Sequence, residues 1–212
     1  TLRHSSAASD VYKRQNNKQS EIYSELLKSF SFRAKLINDS SKYLASQILD
    51  IAKLTEKAII QGNKILFCGN GGSAAEAQHM AAEYCATLDH SRPRQGIAAI
   101  ALTTDSSFMT AWANDFGYED IFKRQLETLG QSNDILMAYS TSGNSENVLR
   151  AACAAKNMGV TVILYTGDHE NTKIEEYADV VFKAPSTSTP IIQEFHTMAG
   201  HEICALVEEH LL

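Results

Sequence analysis

No apolar run in these 212 residues reaches the roughly 18 that a membrane-spanning helix needs, so no transmembrane segment is expected. Nor does a secretory signal pattern open the chain. Basic clusters are also missing. Lys and Arg number 19 against 25 Asp and Glu, the formal net charge is −6, and no basic stripe is present, which argues against a nucleic-acid surface. The four cysteines (Cys68, Cys85, Cys153, Cys204) form no CxxC or zinc-finger spacing. They lie in apolar runs and read as reduced core residues of a cytoplasmic protein. GxGxxG and GK[ST] signatures are absent too, so no nucleotide cofactor is expected.

What is present is an ordinary globular composition, 44% hydrophobic, in a chain long enough for one domain with a real core. The first fifteen residues, TLRHSSAASDVYKRQ, lack a starting Met and show no periodicity. SSAASDVYKRQ resembles translated adapter or vector sequence. Residues 1–15 are therefore set aside as a non-native tail, and 16–212 are read as a single domain.

From Ser20 to Gln61 the pattern is helical, with Ile22, Leu26 and Leu27 on one stripe and Ile48, Ile51, Ala52 and Leu54 on another. Asn38-Asp39-Ser40-Ser41 predicts a break into two helices, with a Ser or Asp as the second N-cap. Short apolar runs at 64–68, 97–102, 134–139, 160–166 and 178–184 read as strands buried on both faces. Helical segments separate them, at about 73–88, in two pieces across 105–129, and at 145–158. A last helix runs from about Pro190 to Leu211. Proline suits its start because the missing N–H is unbonded there anyway. Alternating strands and helices predict right-handed βαβ units and a three-layer α/β/α domain around a five-stranded parallel sheet. Ligands in such sheets bind at the carboxyl ends of strands, beside the switch point in strand order.

Two loops fall at such ends. Gly69-Asn70-Gly71-Gly72-Ser73 follows the first strand, and glycines there let backbone N–H groups approach an anion at a helix N-terminus. The same glycines also fit a purely structural strand–helix turn. Ser140-Thr141-Ser142-Gly143-Asn144-Ser145 follows the third strand and offers five hydroxyl or amide side chains. Neutral donors of this kind suit a phosphate monoester that must be released again, although an N-cap and polar turn would read alike. Further along, His79 and Glu83 stand one turn apart on one helix, and Gln193 and His201 about two turns apart on another. Taken alone, each is also what an exposed helix face carries.

GNGGSAAEAQH followed by AAE, ANDFG at 113–117, STSGNS at 140–145 and IQEFH at 192–196 together resemble phosphoheptose isomerases. These are sugar isomerase (SIS) domain enzymes that convert sedoheptulose 7-phosphate to D-glycero-D-manno-heptose 7-phosphate. STSGN alone marks the wider superfamily; the four motifs in order, over roughly 20–211, are more specific. The resemblance implies substrate contacts at Asn70, Gly71, Gly72, Ser73, Asn114, Asp115 and Gln193. It implies a phosphate loop of Ser140, Thr141, Ser142 and Ser145, and an acid/base pair of Glu83 and His201, with Glu83 also touching substrate. It further implies one Zn2+ per subunit on His79, Glu83, Gln193 and His201, a homotetramer with interface active sites, and a precursor for lipopolysaccharide, capsule or another glycan.

The chemistry fits those residue types. Aldose–ketose isomerisation moves a proton between C1 and C2 through an enediol, and needs a base for carbon and an acid near the oxygens. Glu83 lies ten residues past Ser73, about 15 Å along a helix. Either the 140–145 loop holds the phosphate while the glycine turn touches the sugar, or Glu83 serves a site completed by a neighbouring subunit. Two departures from the family pattern bear on the substrate: Thr87 stands where an arginine is common, and Pro190-Ile191 precede Ile192-Gln193. The alternatives are an isomerase of another sugar phosphate and a non-catalytic SIS protein binding the bacterial replication initiator.

Overall fold

The computed structural model describes the backbone of residues 6–211 and the side chains of 18–209. It divides into two compact units, one up to Ser41 and one from Lys42 onward. The described residues of the first unit are helical, the amino-terminal part of α1 (Ser6–Ile60). None of its described side chains is buried: Ile22, Leu26 and Phe30 are 53%, 51% and 64% exposed.

The break expected at 38–41 does not occur, because α1 runs through it. Ser41 donates its hydroxyl back to the Asn38 carbonyl at 3.0 Å, inside the helix. A hydroxyl satisfied in that way costs the helix little, and local propensity is a weak prior once an apolar stripe continues beyond it. The stripe does continue, since Leu44, Ile48, Ile51 and Ala52 are buried in the second unit. The helix stops where Gly62 and Asn63 donate back to the carbonyls of Ile59 and Ala58, at 2.9 and 3.0 Å.

The second unit holds β1 (Ile65–Gly69), α2 (Gly72–Cys85), β2 (Ala99–Ala101), α3 (Ser106–Phe116), α4 (Ile121–Leu129), β3 (Ile135–Tyr139), α5 (Glu146–Asn157), β4 (Thr161–Gly167), β5 (Val180–Ala184) and α6 (Thr189–Leu211). All five strands expected from the sequence are present and parallel, in the order β2-β1-β3-β4-β5. β2 is shorter than its apolar run. Every residue of β1 and β3 is buried, which is why those runs show no alternation. Leu66, Cys68, Leu136, Ala138, Val162 and Leu164 face one layer, where they pack with Ile121 and Leu126 of α4 and Val148 and Ala152 of α5. On the other layer α2 lies on β1 and α6 on β4. Cys68 and Cys204 are buried as expected; Cys85 is exposed and Cys153 half-buried, and all four thiols are free.

The order β2-β1-β3 makes the boundary between β1 and β3 the switch point. Gly69 is the register partner of Tyr139 there, so the turn after β1 and the loop after β3 leave the sheet side by side.

Candidate active site

The α2–α6 contact brings together four of the candidate residues, His79, Glu83, Gln193 and His201. Gly72 opens α2, and a Cβ on it would sit 2.5–2.8 Å from the carboxamide of Gln193. Glycine therefore lets Gln193 lie on the turn itself. One turn on, Glu76 accepts a hydrogen bond from the Thr197 hydroxyl at 2.6 Å. One turn further, His79 Nε2 lies 3.3 Å from His201 Nε2, the rings meeting edge to face at 4.9 Å. The pairs 72–193, 76–197 and 79–201 advance together, so the two helices run parallel, each lending one face of every turn.

At this level Glu83 joins in, its Oε1 3.3 Å from His79 Nε2. One ligand atom from each of His79, Glu83 and His201 falls within 4.8 Å of the others. Two imidazole nitrogens and a carboxylate so placed form a donor set suited to zinc. Gln193 sits nearer the Gly72 end. A cavity of about 450 Å³ runs between, lined by Gly72, Glu76, His79, Gln193, His196 and Thr197 among others. His79 belongs both to this cavity and to the triad.

Sequence reasoning missed Glu76. It is buried, Oε2 is held by Thr197 and lies 3.9 Å from His79 Nδ1, and Oε1 has no partner. Its only sequence signal was its place one turn before His79 on the same face. His196 was missed as well. It is buried among Tyr139, Tyr165 and Phe182, and its Nε2 faces the Thr166 carbonyl at 3.2 Å. Burial holds its pKa down at about 4, against a weaker upward pull from that carbonyl, so the ring is neutral and donates from Nε2.

A buried ion pair fixes the far end of the ladder. Arg94 bonds Glu208 Oε1 through Nε at 2.8 Å, and its Nη atoms reach the carbonyls of Glu83, Tyr84 and Ala86. Those carbonyls end α2, where a cation is favoured. Burial alone would raise the Glu208 pKa, but N–H groups of Leu88 and Asp89 and the Arg94 guanidinium outweigh it and leave it lowered. Thr87, one of the two departures, also donates to Glu208, at 3.4 Å. Pro190, the other, lies on the cavity wall.

At the switch point the 140–145 loop folds on itself. The Ser140 hydroxyl is buried and donates to Ser145 Oγ at 3.0 Å. Gly143 has φ +66, and a Cβ there would meet Thr172 at 2.5 Å, so only glycine closes this turn. Asn144 is spent internally, bonding the Ser142 carbonyl and the Lys173 N–H. Thr141, Ser142 and Ser145 keep partial or full exposure, whereas Ser140 lies beneath them. Ser73 is buried in the first turn of α2. Asn114 and Asp115 stand exposed at the end of α3, Asn114 donating to Asp115 at 2.8 Å. Asn70 forms a two-bond amide pair with Asn147, a residue sequence reasoning passed over, and accepts from the Tyr118 hydroxyl.

A family model described as SIS domain matches residues 30–167. A phosphoheptose isomerase of Burkholderia pseudomallei is 44% identical over 168 residues, covering 79% of this chain and 84% of the relative. That of Aquifex aeolicus is 47% identical over 165 residues, covering 78% and 85%. The solved phosphoheptose isomerase from Neisseria gonorrhoeae superposes with a TM-score of 0.81 at 36% identity, covering 89% of this chain and 99% of the other. With the triad and the two switch-point loops in place, these matches make the chain a member of the phosphoheptose isomerases of the SIS-domain family.

Proposed function

We propose that this chain interconverts sedoheptulose 7-phosphate and D-glycero-D-manno-heptose 7-phosphate through an enediol. The observation that carries the reading is the convergence of His79, Glu83 and His201 beside a cavity of about 450 Å³, large enough for a sugar chain. Glu83 takes the proton from carbon and returns it to the neighbouring carbon, while His201 serves the oxygens. Thr141, Ser142 and Ser145, backed by Ser140, bind the phosphate. Asn70, Gly71, Gly72, Ser73 and Gln193 contact the sugar, with Asn114 and Asp115 on the far side. His79, Glu83 and His201, with Gln193 as fourth ligand, would hold one Zn2+ per subunit, and that ion would supply Lewis acidity at the carbonyl.

We read residues 16–212 as the native domain and 1–15 as a non-native tail. We infer that the enzyme acts in the cytoplasm as a homotetramer whose partner is a small sugar phosphate. No helix of the described residues is long and apolar enough to cross a membrane. Its product would be a precursor of lipopolysaccharide, capsule or another glycan. Incubation with sedoheptulose 7-phosphate should yield the aldose, and a wild-type protein that leaves this ketose unchanged would sink the reading.

A further inference from the structure

We infer that Asn147 is a positioning residue that locks the glycine turn and the phosphate loop into one binding surface, with Tyr118 tying in the segment after Asn114 and Asp115. The inference rests on the isomerase reading above. Asn70 is the first residue beyond β1, and Asn147 the second residue of α5, directly after the phosphate loop. Their strands pair at Gly69 and Tyr139, so the turn that carries Asn70 and the loop that leads to Asn147 leave the sheet side by side.

The bonding is reciprocal. Asn70 Nδ2 donates to Asn147 Oδ1 at 2.8 Å, and Asn147 Nδ2 donates to Asn70 Oδ1 at 2.8 Å. Asn70 Oδ1 accepts a second bond, from the Tyr118 hydroxyl at 2.9 Å, and Asn147 Oδ1 a second from the Val148 N–H at 3.0 Å. Both carboxamide oxygens thus have both lone pairs engaged. Asn147 is 4% exposed, so this pair sits in a low-dielectric setting where an unmet donor or acceptor is costly. Only an amide at each position satisfies the arrangement. Tyr118, by contrast, is 51% exposed, so losing its hydroxyl does not endanger the fold. Three chain segments that approach one substrate are thereby held by a single carboxamide, that of Asn70.

The test separates positioning from folding. A fold defect lowers the active fraction and so the apparent kcat, whereas misplaced binding loops raise KM. Asn147→Ala should raise KM about tenfold or more and Tyr118→Phe about 2–10-fold, with kcat within a factor of about three. In an Asn70→Ala background, Tyr118→Phe should add nothing, since its only route is through Asn70. Unchanged KM in Tyr118→Phe, or an equal effect with and without Asn70, overturns the inference, and this holds even where Asn147→Ala fails to fold. If the wild type does not isomerise sedoheptulose 7-phosphate, the functional reading falls and inorganic phosphate decides this one. Calorimetric affinity for phosphate weakened in Tyr118→Phe supports it; phosphate affinity equal to wild type, or no phosphate binding in the wild type, overturns it.

Discussion

Glu83 is the residue on which the proposed chemistry turns. Its carboxylate faces His79 at 3.3 Å while its own carbonyl is held by Arg94 at 3.0 Å, so backbone and side chain are fixed separately. Glu83→Gln keeps the shape and removes the base. It should lower kcat by roughly 10²–10⁴-fold with little change in KM, the usual size of a general acid–base contribution. Solvent deuterium should enter at C2 of the aldose with the wild type and not with this variant; normal exchange in Glu83→Gln would remove it from the role of base. The phosphate loop should behave oppositely. Ser142→Ala and Thr141→Ala delete groups that bind ground and transition states alike, so KM should rise while kcat holds, and an unmoved KM in both would reassign the loop. The placement of single residues was legible where it is a local matter: the glycines after β1, the hydroxyl run after β3, and His79 with Glu83 one turn apart. Glu76 and Asn147 were not, because their partners Thr197 and Asn70 lie 121 and 77 positions away and nothing nearby in sequence marks the pairing.

At the scale of elements, the sequence placed all five strands and the helices between them, because apolar runs flanked by turn residues are local signals. It could not show that α2 and α6 lie against one another, and the triad exists only through that contact. It also broke α1 at 38–41, where capping residues outnumbered apolar ones but the continuing stripe prevailed. Two of the contacts that hold α6 in place each make a prediction. The Arg94–Glu208 pair, with side chains 5% and 2% exposed, clamps the ends of α2 and α6. Arg94→Met strands a buried carboxylate and should cost about 3–5 kcal/mol in urea unfolding; a loss below about 1 kcal/mol would show that the clamp is dispensable. His196 ties α6 to the end of β4. Its folded pKa of about 4 lies below the ordinary 6.5, so the unfolded chain binds the extra proton first. Its contribution is therefore complete above about 6.5 and lost as pH falls toward 4, by up to about 3 kcal/mol. His196→Gln should flatten that part of the stability–pH curve, and an identical slope in the variant would acquit His196.

For the whole molecule, the amino-terminal part of α1 sets the question. Ile22, Leu26 and Phe30 recur every four residues, each about half or more exposed, with Tyr23 and Leu27 beside them at 64% and 48%. A helix that shows such a stripe to water is stabilised by covering it, and burial is worth about 25 cal/mol per Å² of apolar surface. A second copy of the same helix offers a matching stripe, which is how symmetric oligomers are built. The proposed homotetramer predicts a light-scattering mass near four times the 23.3 kDa subunit. Leu26→Glu combined with Phe30→Glu should break that assembly, since four carboxylates per helix pair would be buried unpaired, while circular dichroism of the folded chain is retained. The activity of the dissociated variant then decides the question raised by the distance from Ser73 to Glu83. If the neighbouring subunit completes the site, dissociation should lower turnover by orders of magnitude even at saturating substrate. A stable wild-type monomer with full activity would show instead that one chain holds phosphate, sugar and base together, and that the apolar stripe on α1 serves something other than catalysis.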